Sequence, residues 1–230
     1  MSTSTAEPVR RRAGLAGLQR LGRSLMLPIA VLPAAGLLLR LGQDDLLGGV
    51  EALKQPAAVL AAAGGALFDH LPMIFALGIA IGWARRSDGS TALAALVGYL
   101  VMDGVFTALS PVLLPGVLDS KGEQATIDFG VLGGIVAGLV AALLWQRFHR
   151  TTLPTFLGFF NGRRLVPILT AVSMMVIASV LSLVYPVFNA GLTGLGNAVG
   201  ENAVVGGGVF GLVNRLLLPV GLPHIINSVV

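Results

Sequence analysis

Four polar side chains near the end of the chain have the residue types needed to hold a hydroxyl-rich or anionic molecule: Asn214, Arg215, His224 and Asn227. They lie in an apolar stretch, residues 205–230, that glycine and proline interrupt. A charge at membrane depth is costly and usually faces a cavity or a partner, and irregular backbone survives there only where protein or water surrounds it. We therefore predict a broken or re-entrant segment that lines a substrate-binding site. The alternative is an ordinary helix whose arginine reaches the lipid headgroups.

Three further polar side chains fall inside apolar stretches: Asp69, His70 and Asp103. Each is either a functional contact or a structural one. Because Pro72 follows closely, the first two would simply cap the start of a helix, and Asp103 would pair with a cation of a neighbouring helix. In an ion-coupled secondary transporter, the two aspartates would instead be the coupling groups.

The composition restricts the class of protein. Of 230 residues, 55% are hydrophobic and 11% are charged, and the mean hydropathy is +0.86. Soluble domains carry roughly 25% charged residues, so we predict an all-α, polytopic integral membrane protein. The net charge of +4 comes from cations at segment ends, which membrane topology explains better than a nucleic-acid partner does.

The sequence lacks the residues that several kinds of chemistry require. There is no cysteine, which excludes disulfides, thiolate metal sites and a cysteine nucleophile within the chain. Neither a nucleotide-binding glycine loop nor a paired-histidine metal spacing is present. We therefore predict neither a metal site nor a cofactor.

The apolar stretches predict about five membrane-spanning helices ahead of the broken C-terminal segment. The second stretch is either one broken span or a half-inserted helix, 57–68, that leads into a short span, 71–84. In the fourth stretch, Gly134 and Gly138 are spaced for close helix approach. The five stretches are residues 24–39, 57–84, 91–109, 129–145 and 165–185.

The N-terminal part has a different character. Residues 9–24 combine arginines with leucines that fall three positions apart, which indicates a basic amphipathic helix on an anionic leaflet; a solvated basic tail is the alternative. The predicted division is therefore a tail and amphipathic helix over 1–24 and a membrane domain over 25–230.

Arginine and lysine positions predict the orientation. With the N-terminus inside, the outer connections hold only Lys54 and Lys121, while Arg40 lies at a boundary. The positive-inside rule is most reliable for short loops such as these, so the N-terminus is predicted to be cytoplasmic. The inner cations are Arg10, Arg11, Arg12, Arg20, Arg23, Arg85, Arg86, Arg147, Arg150, Arg163 and Arg164.

Five motifs together carry a resemblance to a known family. They are residues 32–42, 71–82, 92–101, 158–168 and 214–228. With these motifs in this order, the sequence resembles the membrane-spanning enzyme IIC component of the bacterial phosphotransferase sugar transporters, glucose superfamily. The last motif looks most like the N-acetylglucosamine-type branch.

The resemblance implies a function. Such proteins carry a hexose, here N-acetylglucosamine or glucose, across the bacterial inner membrane while a IIB domain, phosphorylated on cysteine, phosphorylates it. The chain would then be part of a protein-phosphohistidine/phosphocysteine-dependent sugar phosphotransferase. Because it contains no cysteine, IIB would be a separate chain or a missing domain. The family also implies a homodimer.

The same resemblance assigns roles to particular residues. Arg215 matches an arginine near the sugar, and His224 is the candidate catalytic residue, although Pro223 stands where the first histidine of a pair is usual. Where the family has asparagine, this chain has His70. The basic inner loops would face IIB through Arg85, Arg86, Arg163 and Arg164.

The family's domain continues well beyond residue 230, so the resemblance implies an N-terminal half, with the domain incomplete. Two interpretations rival the permease. One is a truncated, non-transporting membrane remnant that binds partner subunits, and the other is an ion-coupled secondary transporter that would use Asp69 and Asp103.

Overall fold

The computed structural model describes residues 12–43, 45–117, 122 and 124–201, and most of them are helical. Within these residues there are seven α-helices: α1 (Arg12–Ile29), α2 (Leu32–Leu41), α3 (Lys54–Asp69), α4 (Leu71–Trp83), α5 (Gly89–Leu113), α6 (Val131–Phe148) and α7 (Leu165–Glu201). Short 3₁₀ helices cover Glu51–Leu53, Thr155–Phe160 and Gly162–Arg164.

In the described part of the chain, four stretches of helix are long and apolar enough to cross a membrane: Gln19–Leu41, Gly89–Leu113, Val131–Phe148 and Gly162–Gly191. The α3–α4 pair adds a fifth if its two helices form one span, and they meet at an angle of 56°. This confirms the predicted all-α polytopic fold with about five spans. The break lies at His70, next to Pro72, where the sequence places it.

Two helices extend beyond their predicted segments. α1 runs without a break from Arg12 to Ile29, so residue 24 lies inside a helix. α7 continues past residue 185 to Glu201, through Pro186. A fall in apolar content marks the end of a membrane span but does not end a helix. The apolar pattern therefore predicted a segment that is shorter than the helix. The predicted broken segment, 205–230, lies outside the described residues.

Helix α4 lies among α1, α5 and α6. Its seam with α6 is very close: a Cβ added to Gly134 would collide with the backbone carbonyl of Pro72, and one added to Gly138 would lie 2.5 Å from the carbonyl oxygen of Ala76. Because glycine removes the side chain, the two backbones come into direct contact. The close approach predicted from the glycine spacing is confirmed.

Helices α5 and α7 pack side by side. Gly98 of α5 lies against Thr170 and Met174 of α7. Further along α7, an aromatic cluster packs between this helix and the start of α6, where the ring centre of Phe129 lies 5.2 Å from that of Tyr185. The outer face of α7 is apolar and exposed, as a surface in contact with lipid would be; it carries Val172, Met175, Val176, Val180, Leu183, Val184 and Val187.

Candidate functional site

The predicted substrate-binding residues lie outside the part of the chain that the structure describes. These are Asn214, Arg215, His224 and Asn227, together with Pro223. The predicted partner-facing arginines lie within it, and we therefore build the candidate site from them.

The four predicted partner-facing arginines belong to two loops that the structure joins. Arg85 and Arg86 follow α4, whereas Arg163 and Arg164 immediately precede α7. An ion pair connects the loops, with Nη1 of Arg163 lying 2.8 Å from Oδ2 of Asp88. Residues far apart in sequence thus form one basic surface at the same end of the bundle.

Asp88 has two structural tasks at this junction. It is the N-cap of α5: its Oδ1 accepts a hydrogen bond of 2.9 Å from the backbone N–H of Ser90, and Thr91 Oγ1 accepts one of 3.2 Å from the Asp88 N–H. Its other carboxylate oxygen, Oδ2, forms the ion pair with Arg163. The capping pattern is visible in the sequence, but the bond to the second loop is not.

We expect Asp88→Ala to destabilise the protein more than Arg163→Ala does. Loss of an N-cap costs about 0.5–2 kcal/mol, whereas an exposed ion pair contributes about 0–1 kcal/mol, and Arg163 is 69% exposed. Asp88→Asn is the matched control, since asparagine caps a helix as well as aspartate does. The midpoints of thermal unfolding in detergent give the order of stability of the variants. An Asp88→Asn variant as unstable as Asp88→Ala would contradict the capping role.

Arg86 has an unusual backbone. Its φ is 55°, the one positive value at a non-glycine residue in the described part of the chain. The left-handed conformation costs such a residue about 1–2 kcal/mol, and backbone strain of this kind clusters at functional positions. The strain therefore supports a role for the exposed Arg86 side chain beyond packing.

Further cations surround this end of the bundle. The guanidinium of Arg20 lies 5.7 Å from the ring centre of Trp83, and Gln146 Nε2 donates a hydrogen bond of 3.3 Å to the Trp83 carbonyl. These contacts place Arg20 of α1 and Gln146 of α6 beside Trp83, the last residue of α4, at the same end of the bundle. Across residues 12–23, 83–91 and 145–165 the only acid is Asp88, so this end, which we call the basic end, is strongly positive.

The opposite end shows a different balance. Arg40 binds Asp45 with both guanidinium nitrogens, at 2.7 Å each, and Lys54 lies 3.5 Å from Glu51. The hydrogen bond from Arg40 lowers the pKa of the Asp45 carboxyl below its ordinary value. The described cations here are therefore paired with acids, and most cations at the basic end are not.

Sequence reasoning missed an aromatic surface between α6 and α7. We call residues Thr155–Phe160 the aromatic segment; in it Phe156 is 81% exposed and Phe159 is 70% exposed. The Arg164 guanidinium lies 4.8 Å from the Phe159 ring centre, and its Nη1 donates a bond of 3.3 Å to the Phe159 carbonyl. The run Phe-Leu-Gly-Phe-Phe inside a basic loop was the signal available in the sequence.

The polar residues predicted inside spans are all exposed. His70 lies at the bend between α3 and α4, and its side chain forms no capping hydrogen bond, so the predicted capping role is not seen for it. Asp103 is exposed on α5 and has no ion pair among the described residues. Within the same residues, no group of three histidines and acids could hold a metal ion.

The fold and the basic end define a multi-pass, all-helical membrane protein whose positive charges gather on one side. The family described as "Phosphotransferase system, EIIC" matches residues 22–230, and the chain belongs to this family.

The similar proteins with curated names are sugar-specific members of that system. The chain is 50% identical to the "PTS system N-acetylglucosamine-specific EIIC component" of Streptomyces coelicolor, over 99% of this chain and 56% of that protein. It is 42% identical to the N-acetylglucosamine-specific EIICB component of Bacillus subtilis, over 94% of this chain and 43% of that protein. It is 41% identical to the N-acetylglucosamine-specific EIICBA component of Escherichia coli, over 92% of this chain and 29% of that protein. The chain thus spans about half, or less, of these relatives.

Proposed function

We propose that residues 1–230 are part of a permease that carries N-acetylglucosamine across the bacterial inner membrane while a IIB domain phosphorylates it. The observation that carries this proposal is the family match over 22–230, together with 50% identity across 99% of the chain to a protein named for that sugar. Glucose is the second candidate substrate, because the motifs of the glucose-type branch are close to those of this chain.

Arg215 is proposed to act at the sugar. Transfer of a phosphoryl group depends on positioning and on stabilisation of negative charge, and a guanidinium supplies both through its planar, forked donors. Asn214 and Asn227 add donors and acceptors for sugar hydroxyls. His224 is the candidate for direct participation in the transfer, beside Pro223.

The basic end is proposed to receive the IIB domain. Two relatives are named EIICB and EIICBA components, and this chain has no cysteine of its own to carry a phosphoryl group. The exposed side chains of Arg85 and Arg86 lie beside the ion pair between Asp88 and Arg163. A dense positive surface speeds the association of a negatively charged partner. The protein is further proposed to act as a homodimer.

We propose that the basic end and the N-terminus face the cytoplasm, because cytoplasmic loops carry the excess of arginine and lysine. The chain contains no cysteine, so single cysteines at Arg163 and at Lys121 can report the orientation without further changes. In intact cells, an impermeant maleimide is expected to label the cysteine at 121 and not the one at 163. Labelling at 163 but not at 121 would reverse the assignment.

The function is tested with membranes that contain the product of the whole reading frame to which codons 1–230 belong. IIB, its phosphoryl donor proteins and radiolabelled N-acetylglucosamine are added, and sugar phosphate is measured. Formation of sugar phosphate that depends on IIB supports the proposal. Accumulation of unmodified sugar in response to an ion gradient would contradict it, and a reading frame that stops at codon 230 would favour the non-transporting remnant.

One observation favours ion-coupled transport as a second candidate. Asp103 is a carboxylate inside a candidate span, it is exposed, and no described cation pairs with it. Such residues often mark ion pathways. Loss of gradient-driven uptake in an Asp103→Asn variant, with IIB absent, would support this alternative.

A further inference from the structure

The aromatic segment, Thr155–Phe160, exposes large apolar side chains in a loop that is otherwise basic. Phe156 is 81% exposed, Phe159 is 70% exposed and Phe160 is 39% exposed. The rings of the last two touch edge to face, with their centres 5.3 Å apart. Apolar surface of this size is unfavourable in water, so this surface needs an apolar environment.

Hydrogen bonds hold the segment in place. Asn161 Oδ1 accepts a bond of 2.6 Å from the Leu153 N–H, and the Gly162 N–H donates one of 2.9 Å to the Thr151 carbonyl. Gly162 has a φ of 59°, and a Cβ there would lie 3.0 Å from the His149 carbonyl oxygen. The loop is therefore folded back on the end of α6 and presents its phenylalanines on a defined surface.

The position of the segment between two candidate spans places it close to the bilayer surface. It begins shortly after α6 ends at Phe148 and finishes shortly before α7 begins at Leu165, and both helices are candidate spans. A loop tied at both ends to membrane spans and folded back on one of them lies at the level of the lipid headgroups. Phenylalanine and leucine side chains of interfacial segments are buried at this level, at the boundary of headgroups and acyl chains.

The charges around the segment select the kind of lipid. Arg164 lies over Phe159, Arg147 and Arg150 precede the segment, and across residues 145–165 there is no acid. Anionic lipids attract basic groups next to membrane spans, by about 1 kcal/mol for each cation near the surface. Apolar rings flanked by arginines match an anionic bilayer surface both in polarity and in charge.

We propose that the aromatic segment inserts its phenylalanines into the headgroup region of the bilayer, where Arg164 and its neighbours bind anionic phospholipid. The choice of the inner leaflet rests on the orientation given with the proposed function; the lipid contact itself does not. Arg163 is held by Asp88, so it orients the loop rather than binding lipid. Arg85 and Arg86 remain available for a protein partner.

The test uses single cysteines in place of Phe156 or Phe159, with Gly89→Cys as the matched control. Gly89 is exposed at the same end of the bundle, and a side chain added there meets open space. The 230-residue chain is placed in nanodiscs, in which both membrane faces are accessible, and the rate of reaction with a water-soluble maleimide is measured. The lipid is either phosphatidylcholine alone or an equal mixture with phosphatidylglycerol.

The cysteines at 156 and 159 are expected to react on the order of tenfold more slowly than the one at 89, since the phenylalanines that remain in each variant hold the segment in the headgroup region, and burial of one of them favours the inserted state by at least that factor. Phosphatidylglycerol should increase the difference, and Arg164→Ala should remove the increase. Equal rates at the three positions in both lipids would overturn the proposal. Protection that appears only after IIB is added would overturn it in favour of a protein-binding surface.

This measurement uses neither sugar nor phosphoryl donor, so it does not depend on transport. Slow labelling in nanodiscs alongside failed sugar phosphorylation would leave the lipid contact standing without the proposed function. Fast labelling together with intact phosphorylation would overturn the lipid contact and leave the proposed function standing. Because the two replaced side chains are largely exposed, their removal leaves the buried core unchanged, and size-exclusion chromatography checks that each variant is folded.

Discussion

Replacement of Gly134 by alanine is expected to destabilise the protein by about 1–3 kcal/mol, the usual cost of forcing extra atoms into a packed interior. The added methyl group would collide with the backbone carbonyl of Pro72, which cannot turn aside as a flexible side chain could. To make room, α6 would have to move away from α4, and the contacts along the whole seam would weaken. The measurement is the midpoint of thermal unfolding in detergent.

Gly104→Ala is the matched control for this experiment. Gly104 is also in a membrane-spanning helix, but it is exposed, and an added Cβ there has nothing within 4 Å. Both changes add one methyl group to a helix, so they differ only in what the methyl group meets. Equal midpoints for the two variants would show that the α4–α6 seam is looser than described.

Replacement of Arg215 by alanine is expected to abolish sugar phosphorylation while the protein still inserts into the membrane. Removal of a single preorganised donor to a developing charge commonly lowers a rate by about 10²–10³-fold, and this side chain is proposed to provide both the charge and the forked geometry. Arg215→Lys separates these contributions, since lysine keeps the charge but loses the planar fork. Formation of sugar phosphate with IIB present is the readout.

The control for this second experiment is Arg40→Ala. Arg40 lies in the last turn of the apolar helix α2, and Asp45 binds it at the opposite end of the bundle from the basic end, so its loss should leave phosphorylation largely intact. If Arg215→Ala retains activity, the side chain reaches the lipid headgroups and does not contact the sugar. Membrane fractionation shows whether each variant is inserted.

The sequence predicts those features of the fold that depend on local pattern. Apolar length gave the number of spans, Pro72 marked the bend at His70, and the spacing of Gly134 and Gly138 gave the close seam. Each of these depends on residues that lie close together along the chain, within one or two neighbouring helices. The period and length of such patterns are therefore sufficient to predict them.

The missed features depend on contacts between distant parts of the chain. The bond between Asp88 and Arg163 joins two loops across two membrane crossings, and no local pattern shows which of several arginines an aspartate will bind. The left-handed backbone of Arg86 is also invisible to composition, because it results from how the loop closes. The predicted substrate residues near Arg215 lie outside the described residues, so their arrangement stays a prediction.

The contact between the backbones of α4 and α6 also limits how this protein can change shape. Where two helices interlock without an intervening layer of side chains, neither can slide or roll past the other without separating, so they must travel together. The proposed transport would then require a hinge outside this pair of helices. The 56° joint at His70, where α3 meets α4, lies outside the contact between α4 and α6 and is one such position among the described residues.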